Sequence, residues 1–214
     1  LDVAIVMDRS GSMDYENPTR LEQAKNASKT FVNNLNDSID RASLISFTYG
    51  GWLCSYFNIG CSAQLDQELT YNKTDVNNAI DSLTASGPTA MGEGIYTANQ
   101  ELNSSNRTDA LKFQIVLTDG ATNRGRDPID AANESAREDI VIYTIGLGNA
   151  SEGEFNETVL KLIANMTGGK YFYAPTGSEL NDIFENISYE LSNVVATDVV
   201  VTDILYPGVE LVPP

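Results

Sequence analysis

The chain has 214 residues, 42% of them apolar, with 30 Asp and Glu against 13 Lys and Arg, two Cys and no His. A net charge of −17 excludes nucleic acid and anionic membrane surfaces as partners, because nothing would neutralise their phosphates. The lack of His removes the usual general base and zinc ligand together, and no apolar run reaches the roughly 18 residues a membrane span needs, so this segment makes no direct membrane insertion.

The first element is an apolar run at 2–7, read as a fully buried strand. It ends in Asp8-Arg9-Ser10-Gly11-Ser12. Asn17-Pro18 reads as a helix start, with Asn as cap and Pro at the first helical position. The helix carries Leu21, Ala24, Ser28, Phe31, Val32 and Leu35 on one stripe. A second strand follows at 42–47, then a loop with Trp52, Tyr56 and Phe57, and a short edge strand at 63–70. A helix is expected at 74–84, a turn-rich loop at 85–92 and a second helix to about 103.

Residues 113–117 form another buried strand that ends in Thr118-Asp119-Gly120. Helix at 128–137, strand at 140–145, helix at 155–166, strand at 170–174 and a helix at 178–195 complete the series. Strands alternating with helices imply right-handed crossovers and a mainly parallel, doubly wound central sheet covered on both faces. Residues 196–214 break the pattern and read as strand, turn and strand. They are expected to be a β tail opening a following β-sandwich, with a closing strand pair as the alternative. The expected division is therefore 1–195 and 196–214, in a piece cut from a longer, processed protein.

In such a sheet the strand-to-helix loops share one edge, where ligands bind. Asp8, Ser10 and Ser12 lie there, at alternating positions, with Arg9 turned away. Asp119 lies there after a later strand, and Thr89 opens a helix that reaches the same edge. All five offer hard oxygen, the ligand type that Mg²⁺ and similar cations take. Asp14 and Glu16 are either the rim of this face or solvated loop charges.

Asn-x-Ser/Thr sequons fall at Asn26, Asn36, Asn72, Asn103, Asn106, Asn133, Asn149, Asn156, Asn165 and Asn186. The Asn, Ser and Thr content predicts about three by chance, so a secreted or surface-displayed glycoprotein is expected. Cys54 and Cys61 lack the further soft ligands that a zinc site needs. A local disulfide in an oxidising compartment is the expectation, two free thiols the alternative.

Asp8-x-Ser10-x-Ser12, Thr89 in Gly87-Pro88-Thr89-Ala90-x-Gly92, and Leu117-Thr118-Asp119-Gly120 together resemble the von Willebrand factor type A (vWA) domain. The likeness extends over about residues 1–193 and includes the Thr144–Gly148 strand end and Gly168-Gly169-x-Tyr171-Phe172. Pro88 stands where many members have a second Gly. The resemblance implies a Rossmann-like fold with a metal-ion-dependent adhesion site. Ser10, Ser12 and Thr89 would supply hydroxyl oxygens, and Asp8 and Asp119 would act directly or through water, on Mg²⁺ or alternatively Mn²⁺ or Ca²⁺. Hydroxyls leave the ion's charge uncancelled, so it could accept an Asp or Glu from a protein partner. The implied function is metal-dependent adhesion at a cell surface or outside the cell. A rigid spacer with a stabilising metal is the alternative, and a Mg²⁺-dependent hydrolase a remote one, since P-loop, His base and nucleophile elbow are all missing.

Overall fold

The computed structural model describes residues 1–50, 62–122, 124–148 and 155–197, with side chains of the last helix described through Ser192. Six strands form one sheet in the order β3-β2-β1-β4-β5-β6. They are β1 (Asp2–Asp8), β2 (Arg41–Phe47), β3 (Ala63–Thr70), β4 (Lys112–Thr118), β5 (Ile140–Leu147) and β6 (Tyr171–Ala174). All neighbours are parallel except β2 and β3, which are antiparallel. The mainly parallel, doubly wound sheet expected from the alternating pattern is the one observed.

Among the described residues six α-helices flank it: α1 (Arg20–Asn34), α2 (Lys73–Ser82), α3 (Met91–Ser104), α4 (Pro128–Arg137), α5 (Glu157–Met166) and α6 (Leu180–Thr197). The period-2 alternation of buried strand residues separates two cores. Val3, Ile5, Met7, Leu44, Ile115 and Leu117 pack under α1, α2 and α6, with Phe31, Ile80 and Phe184 among their partners. Ala4, Val6, Ile45, Phe47 and Val116 pack under α3, α4 and α5 through Ile95, Ala132 and Ile163. Cover on both faces leaves β1 buried along its whole length and β2 and β4 buried after their first residue, with Ser43, Ser46 and Gln114 among the buried residues.

Several boundaries shift by one or two residues from the sequence reading, and three of the differences are instructive. Asn17-Pro18 does not start α1. Thr19 is the cap, its hydroxyl accepting from Glu22 N while Glu22 returns a bond to Thr19 N. This reciprocal pair satisfies two orphan donors where Asn17 would satisfy one. Helix α5 begins at Glu157, capped by Asn156, and Phe155 is instead buried against Gly146, where a Cβ would meet its ring at 2.4 Å. Helix α6 runs to Thr197, so Ala196 and Thr197 belong to the helix rather than to a β tail. Residues 198–214, the Cys54–Cys61 pair and the aromatics Trp52, Tyr56 and Phe57 lie outside the described residues.

At the amino end of the sheet, Asp2 is fully buried. Arg41 grips it with both ends of the guanidinium, at 2.9 and 2.6 Å, Arg107 adds a bond at 2.9 Å and Ser105 one at 2.7 Å. Burial by itself pushes this carboxyl up, but the bonds from Arg41 and Ser105 and the charges of Arg41 and Arg107 outweigh it and hold Asp2 below its ordinary range. The sign follows: this stability is present above the unfolded carboxyl's pKa of about 4 and is lost as pH falls through the lower folded value. Asp2→Asn should therefore cost about 2–4 kcal/mol at pH 7 by stranding two guanidinium groups. Urea denaturation should show the gap between variant and wild type narrowing below about pH 4.

Candidate metal centre

The chain runs from β1 outward to β2 and β3, then returns to place β4 on the other side of β1. The strand order reverses between β1 and β4, and loops that diverge there open a crevice at the carboxyl ends. The register sets Met7 beside Leu117, which brings Asp8, the last residue of β1, and Asp119, the residue after β4, to the same edge. Short backbone bonds then tie the loops together. Gly11 N donates to Gly87 O at 2.8 Å, Ser86 N to Arg9 O at 2.7 Å and Tyr49 N to Pro88 O at 2.6 Å. Gly87 has φ 76°, and a Cβ there would lie 2.8 Å from both Thr48 Oγ1 and Tyr49 O, so only glycine fits. Pro88 is tolerated because its carbonyl carries the contact.

The five expected oxygen donors converge. Asp8 Oδ1 accepts from Ser10 N at 2.7 Å, and the Ser10 and Ser12 hydroxyls are 3.2 Å apart. Ser12 Oγ donates to Asp119 Oδ1 at 2.7 Å. A Cβ on Gly120 would sit 2.9 Å from Thr89 Oγ1 and 3.8 Å from Ser12 Oγ, which puts Thr89 at the same point. Asp8, Ser10, Thr89 and Asp119 are buried, while Ser12 borders an open cavity of about 300 Å³ shared with Tyr15, Arg20, Thr89, Asp119, Gly120 and Ala121. Arg9 turns away as expected, its Nε donating to Ser46 Oγ at 3.1 Å. A cavity of about 440 Å³ adjoins along residues 120–122 and 124–129 and shares Gly120 and Ala121, but none of the five donors lines it.

Three residues of the centre were not singled out from sequence. Thr118 Oγ1 donates to Asp8 Oδ2 at 2.5 Å and fixes that carboxylate from below. Tyr15 is exposed on the rim. Arg20 donates through Nη1 to Asp119 Oδ2 at 3.0 Å and through Nε to Glu16 Oε1 at 2.7 Å. Glu16 is thus an anchor for Arg20, whereas Asp14 is an exposed loop charge. Arg20 had one readable signal: a cation in the first turn of a helix opposes the helix dipole and needs a local reason.

The electrostatics fit a missing positive charge. Burial, then the neighbouring charge of Asp119, pushes the Asp8 carboxyl up to about 7. Two buried acids whose charges act on one another resist joint ionisation, and a divalent cation would remove the conflict. The donors are two carboxylates and three hydroxyls, all hard oxygen, which suits Mg²⁺ or a comparable ion. Among the described residues no group of three or more His, Cys, Asp or Glu forms an alternative metal cluster.

Of the sequon asparagines, Asn26, Asn36, Asn72, Asn103, Asn106, Asn156, Asn165 and Asn186 are exposed and Asn133 is half-buried, while Asn149 lies outside the described residues. Asn72 and Asn156 also cap α2 and α5 through their Oδ1 atoms.

The profile of the von Willebrand factor type A domain matches residues 2–186. An uncharacterised protein of Synechocystis, sll0103, is 26% identical over 200 residues, which is 92% of this chain and 43% of that protein. The chain thus spans less than half the length of this curated relative. BatB of Bacteroides thetaiotaomicron superposes with a TM-score of 0.75 at 23% identity, over 92% of this chain and 99% of that one, a likeness of fold. Proximal thread matrix protein 1 from the mussel byssus, in a structure with a zinc-occupied metal-ion-dependent adhesion motif, gives a TM-score of 0.73 at 26% identity, over 89% of this chain and 45% of that one. Sheet order, loop convergence and profile agree: the chain belongs to the von Willebrand factor type A domain family, whose members serve as adhesion and protein-interaction modules.

Proposed function

We propose that this domain is a divalent-cation-dependent interaction module of a secreted or cell-surface glycoprotein, and that it binds an Asp or Glu carboxylate of a protein partner. The observation that carries this reading is the meeting of Ser12, Thr89 and Asp119 from three separate loops around one open cavity. Asp8, Ser10, Ser12, Thr89 and Asp119 would hold the ion, with Mg²⁺ the first choice and Mn²⁺ or Ca²⁺ the alternatives. When bound, the ion supplies a positive charge only partly cancelled by its hydroxyl-rich ligands, which a foreign carboxylate can complete. The chain's own residues shape that encounter: Gly11 and Gly87 lock the loops, Thr118 orients Asp8 and Tyr15 offers an aromatic contact beside the cavity. Exposed sequons support a glycosylated, extracellular setting.

A spacer role is the second reading, favoured by the likeness to a byssal matrix protein. There the ion would stabilise the loop edge without engaging a partner. We assign no catalysis to the site: the chain has no His, and a phosphatase and esterase panel should show no turnover that depends on Asp8.

Mg²⁺ at about a hundred times its Kd should add about 2.7 kcal/mol of stability, seen calorimetrically as a rise of roughly 5–10 °C in Tm. Asp8→Asn should abolish the rise and remain folded in chelator. Beads bearing a peptide with a single Glu among neutral residues should retain the wild-type domain in Mg²⁺ and release it in EDTA. Retention that ignores EDTA sinks the carboxylate reading, and a Tm rise without retention selects the spacer. Gly120→Ala should weaken Mn²⁺ binding about tenfold, because the new methyl displaces the Thr89 hydroxyl, with a loss of stability in chelator below about 1.5 kcal/mol. Titration calorimetry measures the first and urea denaturation the second.

A further inference from the structure

The Arg20 side chain is almost fully buried, and so is Asp119, the carboxylate it contacts. Arg20 opens α1 directly after the Thr19 capping box, so the helix itself carries the guanidinium to the site. Its Nη1 meets Asp119 Oδ2 at 3.0 Å, and Glu16 takes its Nε at 2.7 Å. The other oxygen of Asp119 receives the Ser12 hydroxyl at 2.7 Å. Asp119 is therefore gripped on one side by a fixed positive charge and on the other by a candidate ligand of the ion.

Taking the metal reading above as its basis, we propose that Arg20 is a built-in counter-charge of the centre. It stabilises the buried acid pair when no cation is present, and it lowers the affinity for the cation when one arrives. Two consequences follow from like-charge repulsion. The metal-free domain holds its loop edge together around two buried carboxyls, because Arg20 ties Asp119 in place. The bound ion is less fully neutralised by the protein, which leaves more of its field for an incoming acid. Arg20 is a positioning residue here: it acts through Asp119 and needs no contact with the ion or the partner.

The test compares wild type, Arg20→Gln and Arg20→Lys by Mn²⁺ titration calorimetry and by melting in EDTA and in saturating Mn²⁺. Gln retains a donor without the charge, and Lys retains the charge without the guanidinium fork. Arg20→Gln should bind Mn²⁺ about five- to tenfold more tightly and lose about 5–10 °C of Tm in EDTA, with a smaller loss in Mn²⁺. Arg20→Lys should bind Mn²⁺ within about twofold of wild type. A residue that merely packs the loop would weaken Mn²⁺ binding and lower both melting temperatures equally.

Folded Arg20→Gln with unchanged or weaker Mn²⁺ affinity overturns the proposal, as does equal tightening in Arg20→Lys. If Arg20→Gln folds only when Mn²⁺ is supplied, that rescue supports it. If Arg20→Gln folds under neither condition, the Arg20→Lys affinity decides: near wild type supports the proposal and several-fold weaker overturns it. A wild-type domain that binds no Mn²⁺ defeats the metal reading itself, and this inference with it.

Discussion

Two buried carboxylates on neighbouring strands dominate the carboxyl edge of this sheet. Asp8 follows the apolar body of β1 and Asp119 follows that of β4, and the parallel register of the two strands leaves them no means of separating. Like charges in a low-dielectric setting repel strongly, so everything around the pair works to offset that repulsion. Thr118 and the Ser10 amide donate to Asp8, while Ser12 and Arg20 donate to Asp119. These donors, among the described residues, ease the conflict, while burial first and then the Asp119 charge still push the Asp8 carboxyl up.

That residue of unfavourable charge is useful only if the loops cannot relax. Backbone bonds from Gly11 to Gly87 and from Arg9 to Ser86 knit the first and third loops together, and Arg9 N reaches β2 at Phe47 O. Strand β1 lies at the centre of the sheet with a core on each face, so the Asp8 loop rests on the most constrained part of the molecule. Preorganisation of this kind lets binding energy go into contacts rather than into ordering.

Most of the architecture was legible because the signals were redundant. The apolar run of β1, the apolar-rich segments of β2 and β4 and the helical stripes that alternate with them point together to a two-faced parallel sheet. The five oxygen donors were legible because each sits at a strand end or helix start that the crossover rule sends to one edge. The errors came from competing local signals. Asn17-Pro18 is a helix-start pattern, yet Thr19 with Glu22 three residues on is a better one, and it prevailed by satisfying two donors. Phe155 fits a helical stripe, but the cavity left by Gly146 takes its ring. Arg20 was missed because its one local signal, a cation in the first turn of α1, does not point to Asp119, 99 residues away.

The two ends of β1 make the governing point through a comparison within one strand. Asp2 and Asp8 are the same residue, both fully buried, at opposite ends of the same seven-residue strand. Asp2 meets two arginines and a serine, and its carboxyl sits below the ordinary range. Asp8 meets another acid, and its carboxyl is pushed up to about 7. Burial raises both carboxyls, more strongly at Asp8, and only at Asp2 do arginine and serine partners outweigh it. The amino edge, where its partners complete the charge balance, holds the sheet together. At the carboxyl edge two buried acids meet beside Arg20, and the cation site proposed above rests on that arrangement.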